Sequence, residues 1–427
     1  MRVAIYTLGC KVNQYETQAM EAELTSRGHA LVPFDGAADA YVINTCTVTA
    51  VSDKKSRQMI RQARKRSPHA VVAVCGCYAQ TDPEAVEALG VDLVMGTADR
   101  MGFLDALEAL SPDGGHPVVR VDDALRRRQY EHLPAGGLEG RTRAMLKVED
   151  GCVNFCTYCI IPYARGPIRS LPLGEAACEA KRLAGAGYRE LVLTGIEISS
   201  WGHDLKNGQG LIDLVEAVCA AAPECRVRLG SLEPRTDFCR RAAALPNLCP
   251  HFHLSMQSGC DATLKRMNRK YHSARYYESV TLLREHFDRP GITTDLIVGF
   301  PGETEEEFDQ TLDFVRRCAF SAMHIFPYSR RSGTPAASMP GQVPKAEKEA
   351  RARRAAAVAE ELRAAWLERW EGETLTVLFE EEKEGLWRGH APNYTEVFAP
   401  GEGLHNVIKE VKITRIHRDG LKGSVLE

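Results

Sequence analysis

EDGCVNFCTYCIIPYARG, residues 149–166, carries three cysteines spaced as CxxxCxxC: Cys152, Cys156 and Cys159. Three thiolates hold three irons of a cubane cluster and leave the fourth iron without a protein ligand, open to a substrate. A ferredoxin run has a different spacing and a fourth cysteine, and a structural zinc site also uses four ligands. The nearest later cysteine, Cys178, lies well outside this loop. The loop therefore predicts a catalytic iron-sulfur cluster, with zinc or inert buried cysteines as the alternatives.

The sequence around this loop alternates strand-like segments with helices. The six segments are 145–148, 190–194, 226–229, 251–256, 293–298 and 323–328. This order predicts an incomplete parallel α/β barrel of the (β/α)6 type, with the active residues at the carboxyl ends of its strands.

The first 100 residues predict a separate open parallel α/β sheet. Strands are expected over 2–7, 41–44, 70–75 and 92–95, and helices over 15–26 and 52–65. Ligands of such sheets gather beyond the carboxyl ends of the strands. A cysteine follows each of the first three strands, namely Cys10, Cys46 and Cys77. We expect these three cysteines to meet at one sheet edge, whereas Cys75 continues an apolar strand and belongs to the core.

The remaining segments complete a division into three domains. Residues 111–140 are interrupted by prolines and glycines and predict a linker. A charged helix after Pro344 has one apolar stripe, which predicts packing on the α/β barrel: Val358, Leu362, Trp366 and Trp370. Short β-like runs at 374–379, 395–399 and 407–416 predict a small terminal β-barrel. The expected domains are 1–110, 141–370 and 371–427.

Composition limits the class of protein. Fourteen cysteines without a secretory signal predict thiols in a reducing compartment rather than a disulfide framework, so we expect a cytoplasmic protein. No apolar run reaches the ~20 residues that span a bilayer. The net charge of −3 gives no global reason to bind nucleic acid, so RNA contact requires local basic patches.

With Tyr158 before the last cysteine, the CxxxCxxC loop resembles the signature of the radical S-adenosylmethionine superfamily. Together with Cys10, Cys46 and Cys77, the chain resembles the methylthiotransferase family. The resemblance implies two [4Fe-4S] clusters, one on each set of three cysteines, and S-adenosylmethionine as a cofactor. It also implies an electron donor such as flavodoxin or ferredoxin. The resemblance further implies that two molecules of S-adenosylmethionine are used per turnover, one as methyl source and one as radical source.

The resemblance also implies cofactor contacts at matching strand ends. These positions are Tyr158, Gly195, Glu197, Ser231, Glu233, Ser255, Gln257, Val298 and Gly299. Glycines permit close backbone approach to a nucleoside, and polar side chains bind its hydroxyl and amino groups. Each position has a turn or packing role as its alternative.

The segment TLGCKVNQYET, residues 7–17, resembles the branch that acts on N6-threonylcarbamoyladenosine in tRNA. The resemblance implies a methylthio group added at C2 of that nucleoside at position 37, beside the anticodon. Isopentenyladenosine in tRNA and an aspartate of a ribosomal protein are the alternative targets. An electron-transfer or cluster-carrier protein is the alternative of another class, and the glycine-rich barrel mouth argues against it.

The terminal β-barrel resembles the RNA-binding TRAM domain, with Tyr394 and Phe398 as candidate stacking residues. Its basic candidates are Lys409, Lys412, Arg415, Arg418 and Lys422. The helix that follows Cys46 is also rich in lysine and arginine, and it is a second candidate for phosphate contact. A solvated helical face is the alternative there.

Overall fold

The computed structural model describes residues 1–110, 117–133, 141–234 and 238–426. The chain forms two compact units. Unit 1 consists of Met1–Leu138, Lys147–Leu171 and Ser329–Ala337, and unit 2 consists of Glu139–Leu146, Pro172–Tyr328 and Ser338–Glu427. The cysteine loop therefore belongs to the same unit as the amino-terminal sheet. The domain boundaries expected from the sequence stay a prediction.

Unit 1 is built on a six-stranded parallel sheet, as predicted. The strands are β1 (Arg2–Thr7), β2 (Ala30–Leu31), β3 (Ala40–Thr45), β4 (Val71–Gly76), β5 (Leu93–Met95) and β6 (Val118–Arg120), in the order β2-β1-β3-β4-β5-β6. The helices are α1 (Lys11–Ser26), α2 (Ala50–Arg66), α3 (Cys77–Thr81), α4 (Pro83–Glu87) and α5 (Arg100–Ala109). The register places Thr7 beside Asn44 and Thr45 beside Gly76, so β1, β3 and β4 end side by side.

The sheet is buried on both faces because alternate residues enter two separate cores. Tyr41 and Ile43 of β3 pack in one core together with Ile60 of α2. Ala40 and Val42 pack in the other, with Phe103 of α5. Burial on both faces explains why these strands are continuous apolar runs in the sequence.

Two strands of this sheet were missed. Strand β2 has only two residues, both exposed, and gives no alternating pattern. Strand β6 and the 3-10 turn Ala124–Arg126 lie within 111–140, the segment expected to be a linker, and the linker stays a prediction. The prolines and glycines that suggested the linker lie at 111–116 and 134–140, outside the described residues.

Strand β7 (Arg143–Lys147) leads toward the cysteine loop. The short strands β8 (Glu149–Asp150) and β9 (Arg169–Ser170) pair antiparallel on either side of the loop. Helix α6 (Ile161–Arg165) begins two residues after Cys159.

Unit 2 contains the strands of the α/β barrel, all of them predicted except the two-residue β12. They are β10 (Glu190–Thr194), β11 (Arg226–Leu229), β12 (Ser231–Leu232), β13 (His251–Leu254), β14 (Gly291–Val298) and β15 (Ala322–Pro327). They form the sheets β11-β10-β7 and β12-β13-β14-β15. The pairs β10–β11 and β12 through β15 run parallel, which confirms an incomplete α/β barrel.

The helices of unit 2 lie between and after these strands. They are α7 (Leu173–Gly185), α8 (Leu211–Ala221), α9 (Cys239–Ala242), α10 (Asp261–Arg266), α11 (Ser273–His286), α12 (Glu305–Cys318) and α13 (Lys345–Glu368). Thr304 caps α12 by accepting from the Glu307 amide at 3.2 Å, and the Glu307 carboxylate accepts from the Thr304 amide at 3.1 Å. This reciprocal capping box explains the sharp start of the helix after a glycine-rich turn.

The carboxyl terminus forms the predicted small β-barrel. Its strands are β16 (Thr374–Lys383), β17 (Leu386–His390), β18 (Glu396–Ala399), β19 (Ile408–His417) and β20 (Gly420–Val425), closed in the order β16-β17-β18-β20-β19. Helix α13 packs against the α/β barrel through Arg351, which pairs with Glu303 at 2.8 Å. The last residues of the apolar stripe, Trp366 in α13 and Trp370 just after it, instead enter the core of the terminal barrel, which the stripe did not predict.

Among the described helices, none combines the length and the apolar character needed to cross a bilayer.

Candidate iron-sulfur and cofactor site

Three cysteines lie at adjacent strand ends of unit 1, as predicted. Cys10 is the N-cap of α1 after β1, Cys46 directly follows β3, and Cys77 is the first residue of α3 after β4. Cys10 is exposed, whereas Cys46 and Cys77 are buried. Burial raises the pKa of the Cys46 thiol, and the nearby Cys10 raises it further. Burial likewise raises the pKa of Cys77 to about 12, with smaller contributions from Cys46 and Cys10.

Two glycines let these loops approach one another. Gly9 has φ +105°, and a Cβ there would lie 2.8 Å from Cβ and 2.9 Å from Sγ of Cys46. Gly76 has φ +96°, and its Cβ would lie 2.5 Å from the carbonyl oxygen of Thr45. A side chain at either position requires the cysteine loops to move apart, so only glycine fits.

The structure separates Cys77 from its competitor Cys75. Cys75 is buried in the apolar core that contains Val3 and Met20. Burial raises its pKa to about 11, and the groups that act on it electrostatically are Arg100, Glu16 and Glu131 rather than the other two cysteines. Position therefore favours Cys77 as the third member of the triad.

The CxxxCxxC loop belongs to the same unit. Its base is closed by the Cys152 amide, which donates to the Gly166 carbonyl at 3.0 Å, and the Cys159 amide donates to the Cys156 carbonyl at 2.9 Å. The Asn154 amide donates to the Cys152 sulfur at 3.5 Å. Cys156 is buried, while Cys152, Cys159 and Tyr158 are half-buried.

A buried arginine that sequence reasoning missed connects the loop to the triad. Arg165, the last residue of α6, donates to Asn13 Oδ1 at 2.6 Å, and the Cys10 thiol lies 3.9 Å from the same oxygen. Asn13 in turn donates to the carbonyls of Leu8 and Thr45, at 2.8 and 3.0 Å. Arg165 and Asn13 each lie in a sequence motif quoted above. They are 152 residues apart in the chain, so their contact forms only in the folded protein.

A second arginine buttresses the loop after Cys46. Arg331, in the SRRSG segment, donates to the hydroxyl of Thr47 and pairs with Asp53 in the first turn of α2. It is buried, although it follows the last barrel strand of the sequence. This contact holds residue 47, next to Cys46, against the start of the helix.

The predicted cofactor positions of unit 2 lie at strand ends, and several contact one another. Glu197 follows β10 and accepts from the amide of Ser199 at 2.8 Å and from that of Glu233 at 3.4 Å. Arg269 bridges Glu233 and the Ser255 carbonyl, at 2.7 and 2.9 Å. Gly195 and Ser231 are half-buried beside them. Arg269 lies in the loop between α10 and α11 and was not identified from the sequence.

The other cofactor positions differ in what they offer. Gln257, three residues after β13, has φ +66° and is one of eleven non-glycine residues with positive φ among the described residues. Val298 is fully buried, so its side chain is a core residue. A Cβ on Gly299 would lie 2.2 Å from Lys348 of α13. The absence of a side chain there admits α13, which fits the packing alternative, and the approach of a nucleoside to Gly299 stays a prediction.

All fourteen cysteines lie in the described part of the chain, and none is in a disulfide, as predicted. Within the described ranges, no group of three or more His, Cys, Asp or Glu side chains has the spacing for one metal ion. In a cubane cluster each cysteine binds a different iron, so the cysteines of one cluster do not converge on a single metal ion.

Two family models match this chain, one over each of the two parts that carry three of the cysteines. Residues 146–315 match the radical SAM superfamily, and residues 2–96 match the uncharacterized protein family UPF0004. The chain is 40% identical to the threonylcarbamoyladenosine tRNA methylthiotransferase MtaB of Bacillus subtilis, over 97% of this chain and 94% of that protein. The chain belongs to the radical S-adenosylmethionine tRNA methylthiotransferase family. As a family member it is an enzyme, a transferase that uses an iron-sulfur cluster and S-adenosylmethionine.

Other members of the family are similar over nearly the whole chain. The threonylcarbamoyladenosine tRNA methylthiotransferase of Aquifex aeolicus is 37% identical over 97% of this chain and all of its own length. The tRNA-2-methylthio-N(6)-dimethylallyladenosine synthase of Pelotomaculum thermopropionicum is 32% identical over 96% and 94%. Among solved structures, the radical S-adenosylmethionine methyltransferase TsrM of Kitasatospora setae aligns with a TM-score of 0.56 at 17% identity, covering 79% and 77% of the two chains. That similarity supports the fold alone.

Proposed function

We propose that the protein installs a methylthio group at C2 of N6-threonylcarbamoyladenosine at position 37 of tRNA. The observation that carries this proposal is the 40% identity to a curated enzyme with that substrate in its name, over 97% of the chain. The relatives named for dimethylallyladenosine are less similar, at 32% to 33%. We further propose that the protein acts in the cytoplasm, where its tRNA substrate is, and that it takes electrons from an external donor such as flavodoxin or ferredoxin.

We also propose that the six cysteines hold two [4Fe-4S] clusters. Cys152, Cys156 and Cys159 form one ligand set, and Cys10, Cys46 and Cys77 form the other. The donor chemistry fits, because each set supplies three thiolates and leaves one iron open. Gly9 and Gly76 support the second set, since side chains there would push its loops apart. When bound, the clusters and S-adenosylmethionine supply the radical chemistry and the sulfur to be methylated.

The protein's own residues would position the clusters and S-adenosylmethionine and shield them from water. Cys46 and Cys77 are buried and restrict water, while the exposed Cys10 leaves the site open on one side. Tyr158, Gly195, Glu197, Ser231, Glu233, Ser255 and Gln257 are the proposed contacts to S-adenosylmethionine. Val298 and Gly299 would contribute only backbone atoms, since the Val298 side chain is buried and Lys348 packs over Gly299.

Two surfaces are proposed to contact tRNA, and the first is the terminal barrel. Phe398 is buried and Tyr394 is stacked between His251 and His390 at 4.7 and 4.8 Å, so neither aromatic ring is available for stacking on a base. On the terminal barrel, Arg415 stands directly across from Lys422. Like charges opposite one another are destabilising, and a phosphate between them relieves the repulsion.

Helix α2 offers the second surface. Lys54, Lys55, Arg61 and Lys65 are exposed along it, whereas Arg64 is engaged with Asp92 and the Gly90 carbonyl. Val51 in its first turn is 74% exposed, five residues after Cys46. Exposed cations beside an exposed apolar side chain match a nucleic acid, which offers both phosphates and base faces.

The test is a reconstituted reaction on defined substrates. The protein, loaded with iron and sulfide, receives S-adenosylmethionine, dithionite and tRNA carrying either threonylcarbamoyladenosine or isopentenyladenosine, or the ribosomal peptide. Mass spectrometry of the digested products is expected to show the methylthio derivative of threonylcarbamoyladenosine only. Modification of isopentenyladenosine or of the peptide alone would overturn the substrate assignment. Cleavage of S-adenosylmethionine with no methylthio product on any substrate would overturn the reaction.

A further inference from the structure

Arg165, the last residue of α6, makes several buried hydrogen bonds and ion pairs, more than the end of a helix needs. It is fully buried and pairs with Glu16 at 2.8 Å and with Asp150 at 3.1 Å, besides donating to Asn13 at 2.6 Å. Its Nε is buried and has no hydrogen-bond partner among the described residues, a feature that Arg100 shares. An unpaired N–H of a charged group in the interior is costly unless an anionic group faces it.

The carboxylates around Arg165 are shared with other cations. Glu16 also binds Arg100 at 2.8 Å and Lys147 at 3.2 Å. Asp150 also binds Lys147 at 2.8 Å and Arg169 at 3.3 Å. In this directly paired set, four buried cations share two carboxylates. Glu149, the buried carboxylate next to Asp150, and Glu131, which accepts from the Arg100 amide, bring the carboxylates of this region to four, so the four cations are balanced.

The position of Arg165 brings its buried charge close to the cysteines of the amino-terminal sheet. Through Asn13, its guanidinium is one side chain away from the Cys10 sulfur and from the carbonyl of Thr45, which precedes Cys46. Arg100 is equally buried and also binds Glu16, but it donates to the Gly96 carbonyl at 2.9 Å and not to Asn13.

We propose that Arg165 is a positioning residue for the cluster on Cys10, Cys46 and Cys77, and that its buried charge raises the reduction potential of that cluster. This inference rests on the proposed function, which places a cluster there. Uptake of one electron from an external reductant adds one negative charge to the cluster. A fixed positive charge nearby stabilises that more negative state, which raises the midpoint potential. Through Asn13, Arg165 also fixes the loop that carries Cys10.

The experiment isolates this cluster by combining Cys152→Ala, Cys156→Ala and Cys159→Ala in one parent protein. Iron content and a dithionite titration followed by electron paramagnetic resonance give loading and midpoint potential. Arg165→Gln in this parent is expected to shift the midpoint to more negative values, and Arg165→Lys to shift it less. Arg100→Gln, the matched control, is expected to leave the midpoint unchanged. A loaded Arg165→Gln protein with the midpoint of its parent would overturn the proposal.

Loss of the cluster is also informative. If Arg165→Gln binds no iron while Arg165→Lys and Arg100→Gln load fully, the requirement for positive charge at residue 165 is supported. If Arg100→Gln loses the iron as well, the arginines serve only the fold and the proposal fails. A parent protein that binds no iron overturns the auxiliary site itself, whereas an unchanged midpoint overturns only the role of Arg165.

Discussion

At the scale of single residues, unit 1 depends on charges that are buried together. Glu16 is fully buried, and burial alone would raise its pKa. The ion pairs with Arg100, Arg165 and Lys147 outweigh burial and hold the pKa well below its ordinary value of 4.5. A depressed carboxylate pKa contributes stability at neutral pH, and that contribution is lost as the pH falls below 4.5.

Glu16→Gln is therefore expected to destabilise the protein at pH 7 by roughly 3–5 kcal/mol, because it leaves buried cations without their partner. The difference from wild type should shrink progressively below pH 4.5, where the wild-type carboxylate begins to be protonated in the unfolded chain. Thermal unfolding at several pH values measures both effects. Glu23→Gln, which breaks a partly exposed pair with Arg27, is the control and should cost less than about 1 kcal/mol. Equal losses for the two variants would contradict this account.

The two neighbouring cysteines give a second test at this scale. Cys77→Ala is expected to remove about half of the bound iron, because it deletes one of three ligands of one of two clusters. Cys75→Ala leaves a small cavity in the apolar core and should retain full iron. Iron and sulfide analysis of the reconstituted proteins measures the difference. Iron loss in Cys75→Ala with retention in Cys77→Ala would reverse the assignment.

At the scale of elements, helix α2 carries exposed cations as well as cations that form ion pairs and hydrogen bonds within the protein. The double variant Lys54→Ala/Lys55→Ala is expected to weaken tRNA binding several-fold and to lower the slope of log affinity against log salt by about 1–2. Filter binding over a range of salt concentrations measures both quantities. Lys345→Ala, which removes an exposed lysine at the start of α13, is the matched control. An unchanged salt slope in the double variant would show that α2 is a solvated face.

The sequence predicted elements well where burial produced a pattern. The barrel strands were located to within about two residues because their apolar runs end in glycine or polar turns. Strands β2 and β6 were missed because they are short and exposed, and β17 because Leu386, Trp387 and Arg388 are only half-buried. The cysteine sets were predictable from their place after strands. The contacts of Arg165 were not, because residues 13, 16 and 150 meet it only in the folded chain.

At the scale of the molecule, unit 2 joins its two barrels through aromatic and charged residues. Tyr394 of the terminal barrel stacks against His251 of β13 and lies 4.8 Å below the guanidinium of Arg228. Arg228 also donates to the carbonyl of Pro392 at 2.8 Å. The residue expected to bind RNA therefore fastens the terminal barrel to the α/β barrel.

Tyr394→Ala is expected to lower stability by about 2–4 kcal/mol, because it removes a packed ring between two histidines and an arginine. Differential scanning calorimetry measures the loss. Phe326→Ala, at a residue that is 45% exposed, should cost much less. A variant with wild-type stability and weakened tRNA binding would instead place Tyr394 at the RNA.

The most direct test of the central claim is mass spectrometry of tRNA nucleosides from source cells with and without this gene, complemented with the intact gene or with Cys10→Ala. The account predicts that deletion abolishes the methylthio form of threonylcarbamoyladenosine and accumulates its precursor, and that only the intact gene restores the product. Unchanged levels of that product in the deletion strain, or loss of a different methylthio nucleoside, would contradict the account.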